Sequence, residues 1–123
     1  MKILITGGAG FIGSHIVDAC VERGYEVSII DNLSTGQRQN IAQHETNTMV
    51  RFFEANICDE NRMKEIFHTI QPDVVFHLAA QVNVRHSIQN PHNCGQINIL
   101  GTLSILSAMN EVGCSRMIFA STG

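Results

Sequence analysis

The 123-residue sequence predicts an α/β protein built on a doubly wound parallel sheet in the strand order 3-2-1-4-5. Three observations predict it. Five short runs rich in Val, Ile or Phe alternate with longer amphipathic stretches. Ile3-Leu4-Ile5, Val74-Val75-Phe76 and Met117-Ile118-Phe119 are continuously apolar, the pattern of strands buried on both faces. Strand-length and helix-length segments follow one another along the chain, and right-handed crossovers turn that alternation into a parallel sheet.

The elements follow in order. The first strand is expected over Lys2–Thr6. In the helix after it, Ile12, Ile16 and Cys20 recur at four-residue spacing, and Gly24 stands where a C-terminal cap belongs. The second and third strands are Glu26–Asp31 and Val50–Glu54. Between Asp59 and Ile70, Met63, Ile66 and Phe67 form an apolar stripe, which Pro72 bars from continuing. Asp73–Leu78 is the fourth strand. The stretch from Gly95 to Val112 is apolar on most sides (Ile97, Ile99, Leu100, Leu103, Leu106, Met109) and predicts a heavily covered helix. Arg116–Ser121 is the fifth strand, after which the sheet is truncated, leaving an exposed edge prone to self-association.

Composition narrows the function. With 44% hydrophobic and 15% charged residues the chain is too apolar for disorder, and its length suits one domain with a real core. Eight basic residues against eleven acidic ones, a net charge of -3 and no basic stripe argue against nucleic acid as a partner. No apolar run approaches the ~20 residues of a membrane span, so no membrane partner is expected. The N-terminal residues turn into glycines too early for a signal peptide, and a cytoplasmic location is expected. Cys20, Cys58, Cys94 and Cys114 are scattered, without a Cys-x-x-Cys pair, and are expected to be reduced and mostly buried. His86, His92 and Cys94 lie near one another in sequence, but no carboxylate or second thiol sits at a ligand spacing, so no metal is expected.

Thr6-Gly7-Gly8-Ala9-Gly10-Phe11-Ile12-Gly13 is the most informative segment. It fits Gly-x-Gly-x-x-Gly from Gly8, and Gly-x-x-Gly-x-x-Gly from Gly7. Both patterns meet one physical need: a tight turn, close backbone approach to a pyrophosphate, and close helix–strand contact. The helix N-terminus then faces the phosphates with its partial positive charge. Asp31 ends the second strand 18 residues after Gly13, where an acid accepts from the adenosine ribose and repels a 2′-phosphate. With Asn32 next and no Arg beside it, NAD is favoured over NADP. A P-loop is excluded, because Ser14-His15 stands where Lys-Ser/Thr is required.

In these residues the chain resembles the extended short-chain dehydrogenase/reductases, and within them the UDP-glucose 4-epimerases and their nucleotide-sugar relatives. The glycine segment matches the family's TGGAGFIG, and Asp31-Asn32-Leu33-Ser34-Thr35-Gly36 matches its DNLSTG turn. His77-Leu78-Ala79-Ala80-Gln81 matches its HLAAQ strand end, which lines the nicotinamide side. Asn98-Ile99-Leu100-Gly101-Thr102 is similar to its N-(V/I)-x-G-T helix signature, and Phe119-Ala120-Ser121-Thr122 to its F-(A/S)-S-(S/T) strand end. The resemblance implies a Rossmann-like fold, with NAD held by Gly7, Gly10, Phe11, Ile12, Gly13, Asp31, Asn32, Ser34, Thr35, Gly36, Asn56, Ile57, Leu78, Ala79, Ala80, Gln81 and Asn98. It makes Thr122 the catalytic hydroxyl. Phe11 and Ile12 are open both to core packing and to cofactor contact, and Arg85 and His86 to the substrate side or to plain solvation. The resemblance also implies a possible homodimer through helices of the Gly95–Val112 region.

Two departures matter. Asn56-Ile57 stands where the family has Asp-Ile or Asp-Val. An amide oxygen can still accept from the adenine amino group, so modestly weaker binding is expected. The family's Tyr-x-x-x-Lys is absent, since the one tyrosine, Tyr25, lies between the first helix and second strand. The catalytic segment and sugar-binding part are therefore expected to be missing, and a nucleotide sugar of the UDP-glucose/UDP-galactose type is a partner only of a completed enzyme. A hydroxyl without an assisting base is too weak to replace the tyrosine. Residues 1–123 then read as the N-terminal part of an NAD-binding domain, inactive alone. The alternatives are a non-catalytic NAD-binding module, or the same part of a dehydratase, decarboxylase or reductase.

Overall fold

A computed structural model of the protein describes residues 1–79 and 96–120. The strands are β1 (Lys2–Thr6), β2 (Glu26–Asp31), β3 (Val50–Glu54), β4 (Val74–His77) and β5 (Met117–Phe119). They form one parallel, Rossmann-like sheet in the order 3-2-1-4-5. β1 is central, pairing Ile5 with Ile29 on one side and with Phe76 on the other.

Continuous apolarity means burial on both faces in β1 and β4 but not in β5, an edge strand on which Ile118 and Phe119 are exposed. Ile3 and Ile5 pack with Val17, Cys20, Val27, Ile29 and Ile41, beneath α1 (Phe11–Glu22) and a 3₁₀ segment (Arg38–His44). Leu4 packs on the opposite face with Ile30, Met63, Ile66, Phe67, Val75 and Ile105, beneath α2 (Glu60–Ile70) and α3 (Gly101–Val112). Asp59 caps α2 by accepting the Arg62 N–H at 3.1 Å, and Gln71 ends it in the left-handed region just before Pro72.

Several expectations need correction. The inward face of α1 is Gly13, Ser14, Val17 and Cys20, whereas Ile12 is 65% exposed and Ile16 only partly buried. The absence of a side chain at Gly13 lets the helix lie on the preceding loop, which turns the buried face by one position. Core packing is thereby excluded for Ile12 and for Phe11, which is also exposed. The Gly95–Val112 stretch divides into a π-helical turn (Gln96–Leu100) and α3, and it is not heavily covered. Gly101, Ser104, Ile105, Ala108 and Met109 face inward, while Ile99, Leu100, Leu103 and Leu106 are exposed. The helix approaches through its small residues: a Cβ at Gly101 would collide with the Ile57 side chain. Of the described thiols only Cys20 is buried; Cys58 and Cys114 are partly exposed. The 3₁₀ segment had no sequence signal, since Ile41 alone in it is buried. His86, His92, Cys94 and Arg85 lie outside the described residues.

β5 pairs with β4 alone, and Ile118 and Phe119 are exposed at that edge. Among the described residues no helix is long and apolar enough to cross a membrane. Ile105→Ala, which empties a fully buried site, should cost about 2–4 kcal/mol, and Leu106→Ala under about 0.5 kcal/mol. Urea denaturation of the two variants measures the difference.

Candidate functional site

The site is assembled at the carboxyl ends of the strands. β1 leads into Gly7, whose N–H donates to the Ile30 carbonyl at 2.8 Å and whose φ of +74° starts the turn. Gly10 then stands at the N-cap of α1, with no side chain capping the helix and no acid in its first turn. The N–H groups of Phe11, Ile12 and Gly13 therefore have no intrahelical acceptor, and the positive end of the helix dipole is uncompensated. Gly13 is obligatory for this geometry, because a Cβ there would fall inside the Gly7 carbonyl. Phe11 and Ile12 flank the opening as exposed side chains. The arrangement suits a group carrying negative oxygens.

Asp31 ends the neighbouring strand and is almost buried. Its Oδ2 accepts the Ala9 N–H at 3.0 Å and its Oδ1 accepts the Leu33 N–H at 2.8 Å. Each oxygen keeps a further acceptor position. The loop after β2 is strapped to the glycine turn: Gln37 N–H and the Asn40 side-chain amide both donate to the Ala9 carbonyl, at 3.0 and 2.8 Å. Gly36 lies so near that a Cβ would stand 2.8 Å from Asp31 Oδ2. Asn32, Ser34 and Thr35 are exposed beside the carboxylate, with Asn32 Oδ1 accepting the Ser34 N–H at 3.1 Å.

At the next strand end, the Ala55 N–H donates to the Asp31 carbonyl. Asn56 follows, exposed, and its Oδ1 accepts the Cys58 N–H at 2.9 Å. Ile57 is buried against α3 rather than displayed. Burial raises the Cys58 thiol pKa, which keeps it protonated.

On the other side of β1, six side-chain and backbone groups form a continuous chain of hydrogen bonds. Leu78 and Ala79 N–H groups donate to Thr6 Oγ1 at 3.0 and 3.1 Å. The Thr6 hydroxyl lies 2.7 Å from His77 Nδ1, and His77 Nε2 lies 3.0 Å from Thr102 Oγ1. Thr102 in turn donates to the Asn98 carbonyl at 2.7 Å. Because Thr102 gives its proton to Asn98, it must accept from His77; Nε2 therefore carries the proton and Nδ1 accepts from Thr6. Every member is satisfied with a neutral imidazole. Burial pushes the His77 pKa down to about 4, for the same reason.

Gly7, Gly10, Phe11, Ile12, Gly13, Asp31, Asn32, Ser34, Thr35, Gly36, Asn56, Leu78 and Ala79 thus lie along one sheet edge and its loops. Asn98 meets that edge through its carbonyl, and Ile57 supports it from below. Ala80, Gln81 and Thr122 lie outside the described residues. Sequence reading missed Thr6, His77 and Thr102 as one unit, although all three stand inside quoted motifs. It also missed the strap from Gln37 and Asn40, which no motif contains. Among the described residues no group of three His, Cys, Asp or Glu side chains is placed to hold a metal ion.

Comparison with known proteins gives this geometry its setting. A family model described as GDP-mannose 4,6 dehydratase matches residues 4–123. A UDP-glucose 4-epimerase of Thermotoga maritima, solved with UDP-glucose, shares 46% identity at a TM-score of 0.92; the match covers 100% of this chain and 38% of that one. The Thermus thermophilus UDP-glucose 4-epimerase, solved with NAD, shares 41% identity at a TM-score of 0.90, covering 99% and 38%. A Klebsiella pneumoniae UDP-glucose 4-epimerase sequence is 38% identical over 99% of this chain and 89% of its own length. The chain spans about 38% of the length of the first curated relatives it matches. By fold, motif order and these matches, the chain belongs to the GDP-mannose 4,6 dehydratase family, within the extended short-chain dehydrogenase/reductases.

Proposed function

We propose that residues 1–123 are the NAD-binding part of a nucleotide-sugar epimerase of the UDP-glucose 4-epimerase type. One observation carries the reading: an uncapped, acid-free helix N-terminus at Gly10–Gly13 stands beside a buried carboxylate, Asp31, at the adjoining strand end. In it, the N–H groups of Phe11, Ile12 and Gly13 hold the pyrophosphate. Asp31 accepts from the adenosine ribose, with Asn32, Ser34, Thr35 and Gly36 around the adenosine and Asn56 and Ile57 at the base. Leu78, Ala79, Ala80, Gln81 and Asn98 line the nicotinamide side. When bound, NAD supplies a reversible hydride acceptor for the sugar C4.

Thr122 is the hydroxyl that assists a base, and the base itself is not among these residues, which contain no Tyr-x-x-x-Lys. Turnover of a UDP-glucose/UDP-galactose type substrate therefore belongs to a completed enzyme with a sugar-binding part. The exposed face of Ile99, Leu100, Leu103 and Leu106 supports a homodimer. Scattered cysteines without a Cys-x-x-Cys pair support a reducing, cytoplasmic setting.

Titration calorimetry of the chain with NAD and NADP tests the reading. NAD should bind, and NADP should bind at least about tenfold more weakly, because a 2′-phosphate meets the Asp31 carboxylate. Asp31→Ala should weaken NAD and narrow the gap. Absence of binding heat at millimolar NAD would overturn the proposal.

A further inference from the structure

The opposite end of the sheet holds a second opening, made by what α2 leaves uncovered. In a parallel sheet a crossover helix runs back against the strands, so its last turn lies near their starting residues. α2 stops at Ile70, where Gln71 turns left-handed. Beside that last turn a cleft of about 180 Å³ opens over the starts of β1, β2 and β3. Lys2, Glu26, Ser28, Thr48, Arg51 and Thr69 are among the residues that line it. Leu4, Ile30 and Phe53 face α2 in the core, and side chains alternate along a strand, so Lys2, Glu26, Ser28 and Arg51 stand on that same face.

Two features of the lining call for a ligand. Ser28 is 4% exposed, yet its hydroxyl has no hydrogen-bond partner among the described residues. Buried hydroxyls are nearly always paired, and this one opens onto the cleft. The second feature is charge. Arg51 is the register neighbour of Ser28 on β3, and Lys2 stands on the far side of β2, on β1, two strand spacings or about 10 Å from β3. Among the described residues neither cationic side chain makes an ion pair or hydrogen bond. Nor does the Glu26 side chain, although Glu26 is the register partner of Lys2.

Two cations against one carboxylate leave the lining net positive. Arg and Lys on either side of a hydroxyl are a donor set for an oxyanion, and a guanidinium can hold two of its oxygens at once. At about 30 Å³ per water the cleft has room for about six waters, more than a lone phosphate needs. Its remaining polar groups, the Glu26 carboxylate and the last carbonyls of α2, are acceptors that suit hydroxyl donors. We infer that this cleft binds a small hydroxylated phosphate ester, with the phosphate between Arg51 and Lys2 over Ser28 and the hydroxyls toward Glu26 and the end of α2. The site lies at the opposite end of the strands from the glycine turn and does not rest on the dinucleotide reading.

The test is an NMR titration of the 123-residue chain with glycerol 3-phosphate and with inorganic phosphate, read at the residue 28 amide and the Arg51 Nε–H. These signals report the cleft separately from the amides of Phe11, Ile12 and Gly13, which also suit a phosphate. Glycerol 3-phosphate should move both signals to saturation in the millimolar range, and inorganic phosphate should bind about threefold or more weakly. Arg51→Gln should weaken the ester about tenfold and Ser28→Ala about fivefold. Neither substitution removes a side-chain hydrogen bond of the fold, so both variants should keep the native spectrum. Cleft signals that stay fixed at tens of millimolar ligand would overturn the inference. So would an unchanged Kd in both variants, which would mean an adventitious ion only. Equal affinity for the two ligands would overturn the ester and leave a site for the free anion.

Discussion

Gly13→Ala should remove NAD binding at millimolar cofactor and lower folding stability by about 2–4 kcal/mol. The added methyl would occupy the Gly7 carbonyl and stand 2.9 Å from the Gly8 Cα. Both obstacles are backbone, so no rotamer change relieves them. Either α1 lifts from the turn or the turn opens, and each movement takes the N–H groups of Phe11 and Ile12 off a common focus. Gly24→Ala is the matched control. Its φ of +78° disfavours a side chain, but no atom lies within 4 Å of the added Cβ. It should cost about 1–2 kcal/mol through backbone strain alone and leave NAD affinity unchanged. Denaturation curves and calorimetry on the two variants separate steric exclusion from strain.

The second large effect is acid sensitivity. His77 titrates at about 4 in the fold against 6.5 as an unperturbed side chain. Above pH 6.5 the imidazole is neutral in both states and has no pH effect on stability. Between 6.5 and about 4 the unfolded chain takes up a proton that the native chain refuses, so stability falls as pH falls. At about 1.4 kcal/mol per pH unit, the loss over that window is about 3 kcal/mol. His77→Gln removes this component. The native-minus-variant difference in urea midpoints should therefore shrink steadily from pH 6.5 to 4, while carboxylate titrations common to both cancel. A difference independent of pH would show that the imidazole is not the group responsible. Thr6→Val, which strands the Ala79 N–H and His77 Nδ1 together while the Leu78 N–H keeps the Thr6 carbonyl, should cost about 2–4 kcal/mol at neutral pH.

The residues that were legible in the sequence were those whose physics is local. Continuous runs such as Ile3-Leu4-Ile5 place strands because burial on both faces leaves no polar alternation, and β1, β2 and β3 occupy their expected bounds. Apolar content without periodicity misled at Gly95–Val112. There the small residues Gly101, Ser104 and Ala108 decide which face goes inward, and the leucines are left outside. Four-residue spacing misled at Ile12 and Ile16, because the space freed at Gly13 shifts the buried face. Within the site, the glycine turn and Asp31 announce themselves by residue type and spacing. Thr6 and His77 are 71 residues apart, and His77 and Thr102 a further 25, so no window on the chain couples them. The bond from the Cys58 N–H to Asn56 Oδ1 is likewise a property of the turn, not of the residue types.

The position of β1 at the centre of the sheet has a consequence for synthesis. Residues 2 to 54 complete the β1–β2–β3 half, so pairing on that side uses segments made close together in time. The other flank of β1 stays open until Val74–His77 has been made. For that interval the nascent chain carries a bare apolar strand margin, Ile3 to Ile5, with its amides and carbonyls unpaired. Distant parallel pairing is slow to form, and a waiting margin of this kind recruits other chains. The Thr6–His77 contact therefore closes that margin, and substitutions that delay it should lower the yield of soluble protein before they change the folded state.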